Sequence, residues 1–191
     1  VNHAAGIKPV VISPTSYELV KMAVKYSRED FGFNALIGPL VKLWKIGFKG
    51  ANVPDDADIQ EHLKLIDPWQ VKLDDRARTV YLEQAGMELD LGGIAKGYIA
   101  DRIKDFWVQQ GVSAGIINLG GNLLFVGPSP RRSDGQWVIG VQDPQLHRGE
   151  NMEVVRQAAC SAVTSGIYER FLIKDGHRYH HLIDPRTGYP L

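Results

Sequence analysis

Two adjacent glycines, Gly92 and Gly93, cut the stretch Glu88–Asp101 ("ELDLGGIAKGYIAD") into a strand-like half and a helix-like half. The helical half carries a lysine, Lys96, in its first turn. The amino end of a helix already bears partial positive charge, so a cation is disfavoured there. The first N–H groups of a helix also lack intrahelical acceptors and point back toward the glycine bend. Glycine lets the backbone turn sharply and approach a ligand without Cβ interference. An anion between the bend and Lys96 resolves the conflict, and a phosphate is the natural occupant. Gly97 points the same way. A glycine inside a helix costs about 1 kcal/mol relative to alanine, which close packing against a ligand or another backbone offsets. The competing reading is a plain strand-to-helix turn with Lys96 in water, and the spacing is not that of a P-loop. Asp90 repels a phosphate unless a divalent cation stands nearby, or a ribose or ring N–H for it to accept from.

At 191 residues the chain is long enough to bury a real core as one domain or two tightly joined lobes. Its formal net charge is zero, which argues against a broad basic field for nucleic acid but leaves room for a local basic pocket. The apolar runs are too short to cross a bilayer. A single cysteine, Cys160, excludes an internal disulfide, which fits a reducing compartment or an exported bacterial protein without disulfides. Val1 is not a start methionine, and the chain stops at Leu191 inside a motif. The expectation is a single domain over residues 1–191 that is cut short at both ends.

Along the chain, "SPTSYELVKMAVKYSRED" reads as a helix capped by Ser13 or Thr15, with Leu19, Val20, Ala23, Val24 and Ser27 on one face. "VPDDADIQEHLKLI" is a short helix capped by Asp55 or Asp56 and buried through Ile59, Leu63 and Ile66. "WQVKLDDRARTVYLEQAG" alternates on either side of a charged turn and reads as a hairpin. From Ile94 a long helix repeats through Tyr98, Ile99, Ile103, Phe106, Trp107 and Gln110 to a C-cap glycine, Gly111. "GIINLGGNLLFVG", "QWVIGVQDP", "AACSAVTSGIYERFLI" and "RYHHLIDPRTGYP" read as strands, "PSPRRSDG" as a surface loop, and Gly32, Gly38, Pro39 and Gly47 punctuate the run from Phe31 to Gly47. The expected fold class is α+β, mainly antiparallel sheets packed with a few helices.

Three further groupings bear polar chemistry. "INLGGNLLFVG" reads as a hairpin turn. Thr164 and Ser165, beside Gly166, suit phosphate oxygens and equally suit an ordinary strand end. In "YHHLIDPRTGYP", strand alternation puts His180 and Leu182 on one face and His181 and Ile183 on the other. One of the histidines suits a general base, since imidazoles titrate near neutrality; the alternative is two polar strand residues, one of them packed. No HExxH, CxxC or Gly-x-Ser-x-Gly pattern is present, so any metal is a hard cation on oxygen ligands, magnesium by default.

Together, "FGFNALIGPLVKLW", "ELDLGGIAKGYIAD", "INLGGNLLFVG" and "SAVTSGIYERF…HHLIDPRTGYP" resemble the ApbE family of flavin transferases, from about Ser13 to Leu191. The resemblance implies an ApbE-like fold, FAD as substrate and Mg²⁺ as cofactor. It implies cleavage of the FAD diphosphate, transfer of FMN to a threonine or serine hydroxyl of a target protein, and release of AMP. The alternatives are an FAD diphosphatase giving FMN and AMP, and a non-catalytic flavin-binding protein. By resemblance, Gly32, Phe33, Asn34, Asp90, Lys96 and Ile183 contact FAD, with Thr164 and Ser165 as weaker candidates. Gly93 offers its backbone carbonyl to the metal, and His181 is the base. Asn34 stands where the family commonly has an aspartate, which keeps hydrogen bonding and removes a charge. The implied partner is an exported redox protein with a Ser/Asp-Gly-Ala/Ser-Thr-like acceptor motif. The implied location is the extracytoplasmic face of the bacterial cytoplasmic membrane, held by a lipid anchor outside this chain. Further metal ligands of the family, an aspartate and a threonine four residues later, lie beyond the Thr-Gly-x-Pro turn. The expectation for residues 1–191 alone is therefore weak or absent magnesium binding and poor catalysis.

Overall fold

A computed structural model of the chain describes residues 1–146, 149–167 and 169–191, and shows an α+β protein with antiparallel sheets. The chain forms two compact units, one of residues 1–94 with 167–191 and the other of residues 95–166.

The first unit opens with a short strand β1 (Val10–Val11) and helix α1 (Pro14–Arg28). Ser13 caps α1: its Oγ accepts the Ser16 N–H at 3.2 Å, satisfying one of the orphan first-turn donors. Tyr17, Val20, Ala23, Val24 and Ser27 are the buried face, so the apolar stripe was legible, with Tyr17 in place of Leu19. Helices α2 (Gly38–Trp44) and α3 (Asp56–Leu63) follow, then β2 (Val71–Asp74) and β3 (Thr79–Leu82). The hairpin is in register at Leu73↔Val80, and β1 joins it on the other edge of β3 through Val10↔Val80. Val71, Val80 and Leu82 point inward from the sheet to Val20, Val24, Leu36, Leu40, Trp44 and Ile59 in one apolar cluster. At roughly 1.5–3 kcal/mol for each fully buried large side chain, this cluster is the dominant stabilising contribution in the unit.

Two expectations are corrected here. The strand expected at Glu88–Leu91 is reduced to a single bridge, Ile37↔Glu88. Its backbone partners are supplied instead by a side chain and a loop. The Asn2 amide donates to the Leu89 carbonyl at 3.0 Å and accepts the Leu89 N–H at 2.9 Å, as a neighbouring strand would. The Asp90 N–H donates to the Ala35 carbonyl at 2.8 Å. The hairpin at the end of the chain, β9 (Phe171–Lys174) with β10 (His177–His180), also stops earlier than expected. His181 sits in a bend after β10, so His181 and Ile183 are not consecutive residues of one strand face.

The second unit carries helix α4 (Ala95–Gln109), strands β4 (Gly115–Asn118), β5 (Asn122–Val126), β6 (Trp137–Gln142), β7 (Asn151–Gln157) and β8 (Ser161–Val163). Gly111 ends α4 at φ +80°, and the Val112 N–H reaches the Trp107 carbonyl at 2.9 Å, a Schellman closure. Ala100, Ile103 and Trp107 carry the helix onto Ile117 and Val126. A Cβ on Gly115 would stand 2.6 Å from the Trp107 ring, so β4 and α4 approach closely at a residue with no side chain. Ile99 and Phe106, expected on the packed stripe, are 46% and 59% exposed. β5 pairs with β4 on one side and β8 on the other, and β6 pairs with β7. Cys160 is half-buried beside Phe125, Trp137 and Ile139.

Gly188 fixes the end of the chain to the first unit. It has φ +77°, and a Cβ there would lie 2.5 Å from Ile59 Cγ2 and 3.5 Å from Leu40 Cδ2. Gly188→Ala is expected to destabilise the protein by at least about 2 kcal/mol, combining left-handed strain and overpacking. Urea unfolding followed by tryptophan fluorescence checks this, and a wild-type midpoint would contradict it.

Candidate functional site

The expected site residues fall into both units. In the first, the loop after α1 turns at Gly32, φ +84°, and presents Phe33 and Asn34. Asn34 is committed at both ends. Its Nδ2 donates to the Ile66 carbonyl at 2.8 Å and its Oδ1 accepts the Leu36 N–H at 2.8 Å. It therefore holds the loop that carries Phe33. Phe33 reaches the glycine bend: a Cβ on Gly93 would stand 3.2 Å from Phe33 Cε2. Asp90 caps the bend, its Oδ1 accepting the Gly92 N–H at 2.8 Å. Neither Gly92 nor Gly93 adopts positive φ. Their lack of side chain serves close approach instead, since a Cβ on Gly92 would lie 3.0 Å from Asp90 Oδ1. The structure thus brings Phe33, Asn34, Asp90 and Gly93 together around one loop crossing.

The C-terminal motif belongs to the same unit. His180 is buried, 8% exposed, and its Nδ1 accepts the Leu182 N–H at 3.3 Å. His181 is half-buried, with its Nδ1 3.3 Å from the Arg170 carbonyl. A carbonyl only accepts, so this contact assigns the Nδ1 proton and leaves Nε2 with a lone pair, the arrangement a general base requires. The two histidines divide as one packed and one available. Ile183 packs against the unit's core and bridges Pro190. The following turn is held by Asp184, which accepts from the Arg186 N–H at 2.9 Å and Nε at 3.1 Å. Pro185 and Arg186 line a cavity of about 310 Å³ that Phe33 and Asn34 also line. That cavity links the first loop to the turn after Ile183, within one unit.

The second unit contributes Lys96, Thr164 and Ser165, all exposed. The first turn of α4 holds no acidic residue, and Lys96 forms no ion pair among the described residues. Beyond its own helix, a Cβ on Gly97 would meet Asn122 Oδ1 at 3.9 Å, an ordinary van der Waals contact, so no tight approach by another part of the protein demands this helical glycine. A Cβ on Gly121, φ +86°, would lie 3.9 Å from Thr164 Oγ1. Gly97, Asn122, Gly121 and Thr164 consequently share one neighbourhood. The Gly120-Gly121-Asn122 motif, read in the sequence as a plain hairpin turn, is part of this arrangement. Asn122, which the sequence reading passed over as part of that turn, is a buried polar residue, 7% exposed. Tyr168, inside the Ser161–Phe171 motif, lies outside the described residues.

The donor set for magnesium is thin. Among the described residues, no three histidine, cysteine, aspartate or glutamate side chains come together as a metal cluster. A hard cation prefers six or more oxygen ligands, and the family resemblance offers only the carbonyl of Gly93 from this chain.

A family model described as the ApbE family matches residues 1–191. The chain belongs to the ApbE family. A Klebsiella pneumoniae (strain 342) protein named FAD:protein FMN transferase is 48% identical over 192 residues, covering 100% of this chain and 58% of that protein. A Treponema pallidum (strain Nichols) protein of the same name is 41% identical, covering 99% of this chain and 56% of its own length. The crystal structure of the ApbE protein of Thermotoga maritima superposes with a TM-score of 0.88 at 33% identity, over 100% of this chain and 61% of that one. The Pseudomonas stutzeri flavinyl transferase ApbE, solved in an apo form, superposes with a TM-score of 0.77 at 28% identity, over 98% and 57%. This ApbE chain thus spans a little over half the length of the relatives it matches. The α+β expectation agrees with those structures.

The Asp184–Arg186 turn has a testable titration. The Arg186 guanidinium, and then the Arg186 backbone N–H, hold the Asp184 carboxyl below the ordinary carboxylate range. A depressed carboxyl supports the fold above its unfolded pKa, about 3.9, and loses that support as pH falls through the lower folded value. An NMR titration is expected to place the Asp184 midpoint below about 3.9, and Arg186→Ala to raise it. A wild-type midpoint at or above that value would contradict the turn as described.

Proposed function

We propose that this chain carries the flavin-handling portion of an FAD:protein FMN transferase, with its two units working as a single ApbE-type domain. The carrying observation is the 48% identity, over the whole of this chain, to a protein of that name. The local chemistry supports it. A dinucleotide diphosphate carries negative charge, which Lys96 and the first-turn N–H groups of α4 neutralise.

The reaction joins the acceptor hydroxyl oxygen to the FMN-side phosphorus and breaks the bond between that phosphorus and the bridging oxygen, which leaves on AMP. The proton of the threonine or serine hydroxyl passes to His181 Nε2. The Arg170 carbonyl keeps the other ring nitrogen protonated, so His181 is oriented as a base. Lys96 offsets charge that builds on the leaving phosphate. Mg²⁺ is the proposed cofactor, and when bound it supplies Lewis-acid charge neutralisation. In this chain the Gly93 carbonyl is its proposed ligand; the described residues offer no acidic cluster to complete the shell. The acceptor is a protein with a Ser/Asp-Gly-Ala/Ser-Thr-like motif, and the location is the extracytoplasmic face of the cytoplasmic membrane through a lipid anchor outside this chain. No helix among the described residues is long and apolar enough to cross a membrane.

The test uses the longest natural polypeptide that carries this chain, incubated with FAD, Mg²⁺ and an acceptor protein bearing the motif. Flavin fluorescence on the acceptor in a denaturing gel, with stoichiometric AMP, is expected. His181→Ala is expected to slow transfer by roughly 10²- to 10⁴-fold while FAD binding persists. Free FMN with no labelled acceptor would replace transfer by hydrolysis, and FAD binding with no turnover would leave a flavin-binding protein.

Lys96→Ala separates charge from catalysis. It is expected to weaken FAD binding by about 5- to 150-fold, the loss of one charge-assisted contact of roughly 1–3 kcal/mol. Riboflavin, which lacks phosphate, should bind as before. Equal losses for FAD and riboflavin in titration calorimetry would remove Lys96 from the phosphate site.

A further inference from the structure

The cavity of about 310 Å³ in the first unit has one wall that the family resemblance leaves unassigned. That wall is Trp69, in a short 3-10 turn (Pro68–Gln70) between α3 and β2. The residue is 64% exposed, although an indole buries a large apolar area when it is packed. The turn is not loose. Asp67 accepts the Trp69 N–H at 2.9 Å through Oδ1, and the Gln70 N–H reaches the Asp67 carbonyl at 3.2 Å.

The Arg28 guanidinium lies over the indole, 4.9 Å from the ring centroid. It is itself pinned, with Nε donating to the Pro68 carbonyl at 3.2 Å and Nη2 to the Val71 carbonyl at 2.9 Å. One face of the indole is therefore backed by a fixed cation. A ring held this way loses little freedom when a ligand stacks on it.

The other groups of the cavity narrow the ligand. Arg28 is committed to two carbonyls, Arg186 to Asp184, and Asp67 to the turn. Three of the cavity's four charged lining groups are thus spent on its own structure, the fourth is the Asp30 carboxylate, which disfavours an anion, and aromatic surface remains, from Trp69 and Phe33. Such a wall recognises a flat ring rather than an anion. Ligand pockets run from about 300 to 1,000 Å³, so this one holds a single ring system and not a whole dinucleotide.

We infer that Trp69, backed by Arg28, is a stacking platform for one heteroaromatic ring of the flavin dinucleotide, either the purine or the isoalloxazine. The inference rests on the proposed function, since Phe33 and Asn34 tie this cavity to FAD.

The test compares Trp69→Ala, Trp69→Leu and Trp69→Phe in the full chain by titration calorimetry with FAD, FMN and AMP. Circular dichroism and urea midpoints check folding. Trp69→Ala and Trp69→Leu are expected to weaken FAD by roughly 5- to 150-fold; Trp69→Phe should retain most of the affinity. Leucine keeps apolar bulk without a π face, so its loss reads stacking and not packing. Only one fragment should lose affinity: AMP if the ring is the purine, FMN if it is the isoalloxazine. Wild-type affinity for FAD in Trp69→Leu overturns the platform and leaves the transferase reading standing. Equal losses for AMP and FMN also overturn it, as a general structural effect. Failure of the wild-type chain to bind FAD, FMN and AMP overturns the reading and the platform together.

Discussion

The last turn of the chain is held by one buried hydrogen bond. Trp44 is fully buried, and its indole Nε1–H donates to the Gly188 carbonyl at 2.9 Å. Residues 167–191 return to the first unit, and this is where they lock in. Tyr179 and Tyr189 flank the same indole with centroids 5.5 and 5.8 Å away. An indole N–H left unpaired in a core costs roughly 1–3 kcal/mol, so any sequence with a tryptophan here must bring an acceptor to it. Gly188 is the acceptor, and only a residue without a side chain fits against Ile59, Leu63 and Leu40. The position of Ile183 and of the Asp184–Arg186 turn follows from that requirement. His181 is set separately, by its backbone and ring contacts to the Arg170 carbonyl.

The candidate residues lie in both units. The first carries Phe33, His181 and the glycine bend, and the second carries Lys96, Thr164 and Ser165. The division falls between Ile94 and Ala95, inside the stretch that reads most unusually in the sequence. A lysine in the first turn of a helix with no acid beside it is unfavourable by a few tenths to 1 kcal/mol. Nothing described in the second unit's own fold offsets that cost, and a bound anion would.

Much of the fold was legible because local signals agreed with packing. The α1 stripe, the β2–β3 hairpin and the Gly111 cap are each set by residues within a few positions, and each came out where expected. Three features were not legible, for different reasons. Helix α2 is seven residues long and sits in an apolar run whose glycines and proline read as breaks, yet Pro39 at its start needs no N–H partner there. The strand at Glu88–Leu91 failed because its partner is the side chain of Asn2, 87 positions away, which no local pattern announces. β7 alternates poorly, with six of its seven residues exposed, so it carries no burial signal at all. At the site, the glycine bend and the two histidines could be read as candidates. Which histidine is packed could not, because that depends on β10 ending one residue earlier than alternation suggests. Asn122 was hidden behind a turn motif, and Trp69 looked like any surface aromatic until Arg28 was seen above it.

The committed state of the polar groups decides how this region can recognise anything. Asp184 and Arg186 neutralise each other, and because the Arg186 end is exposed, water screens the pair and keeps its net stability small. Its use is geometric: it stiffens the turn after Ile183 without offering a free charge. Arg28 is spent on two carbonyls in the same way, and Asn34 on a carbonyl and an N–H. What stays open in this part of the first unit is flat aromatic surface, from Trp69 and Phe33, so the cavity discriminates by ring shape before it discriminates by charge.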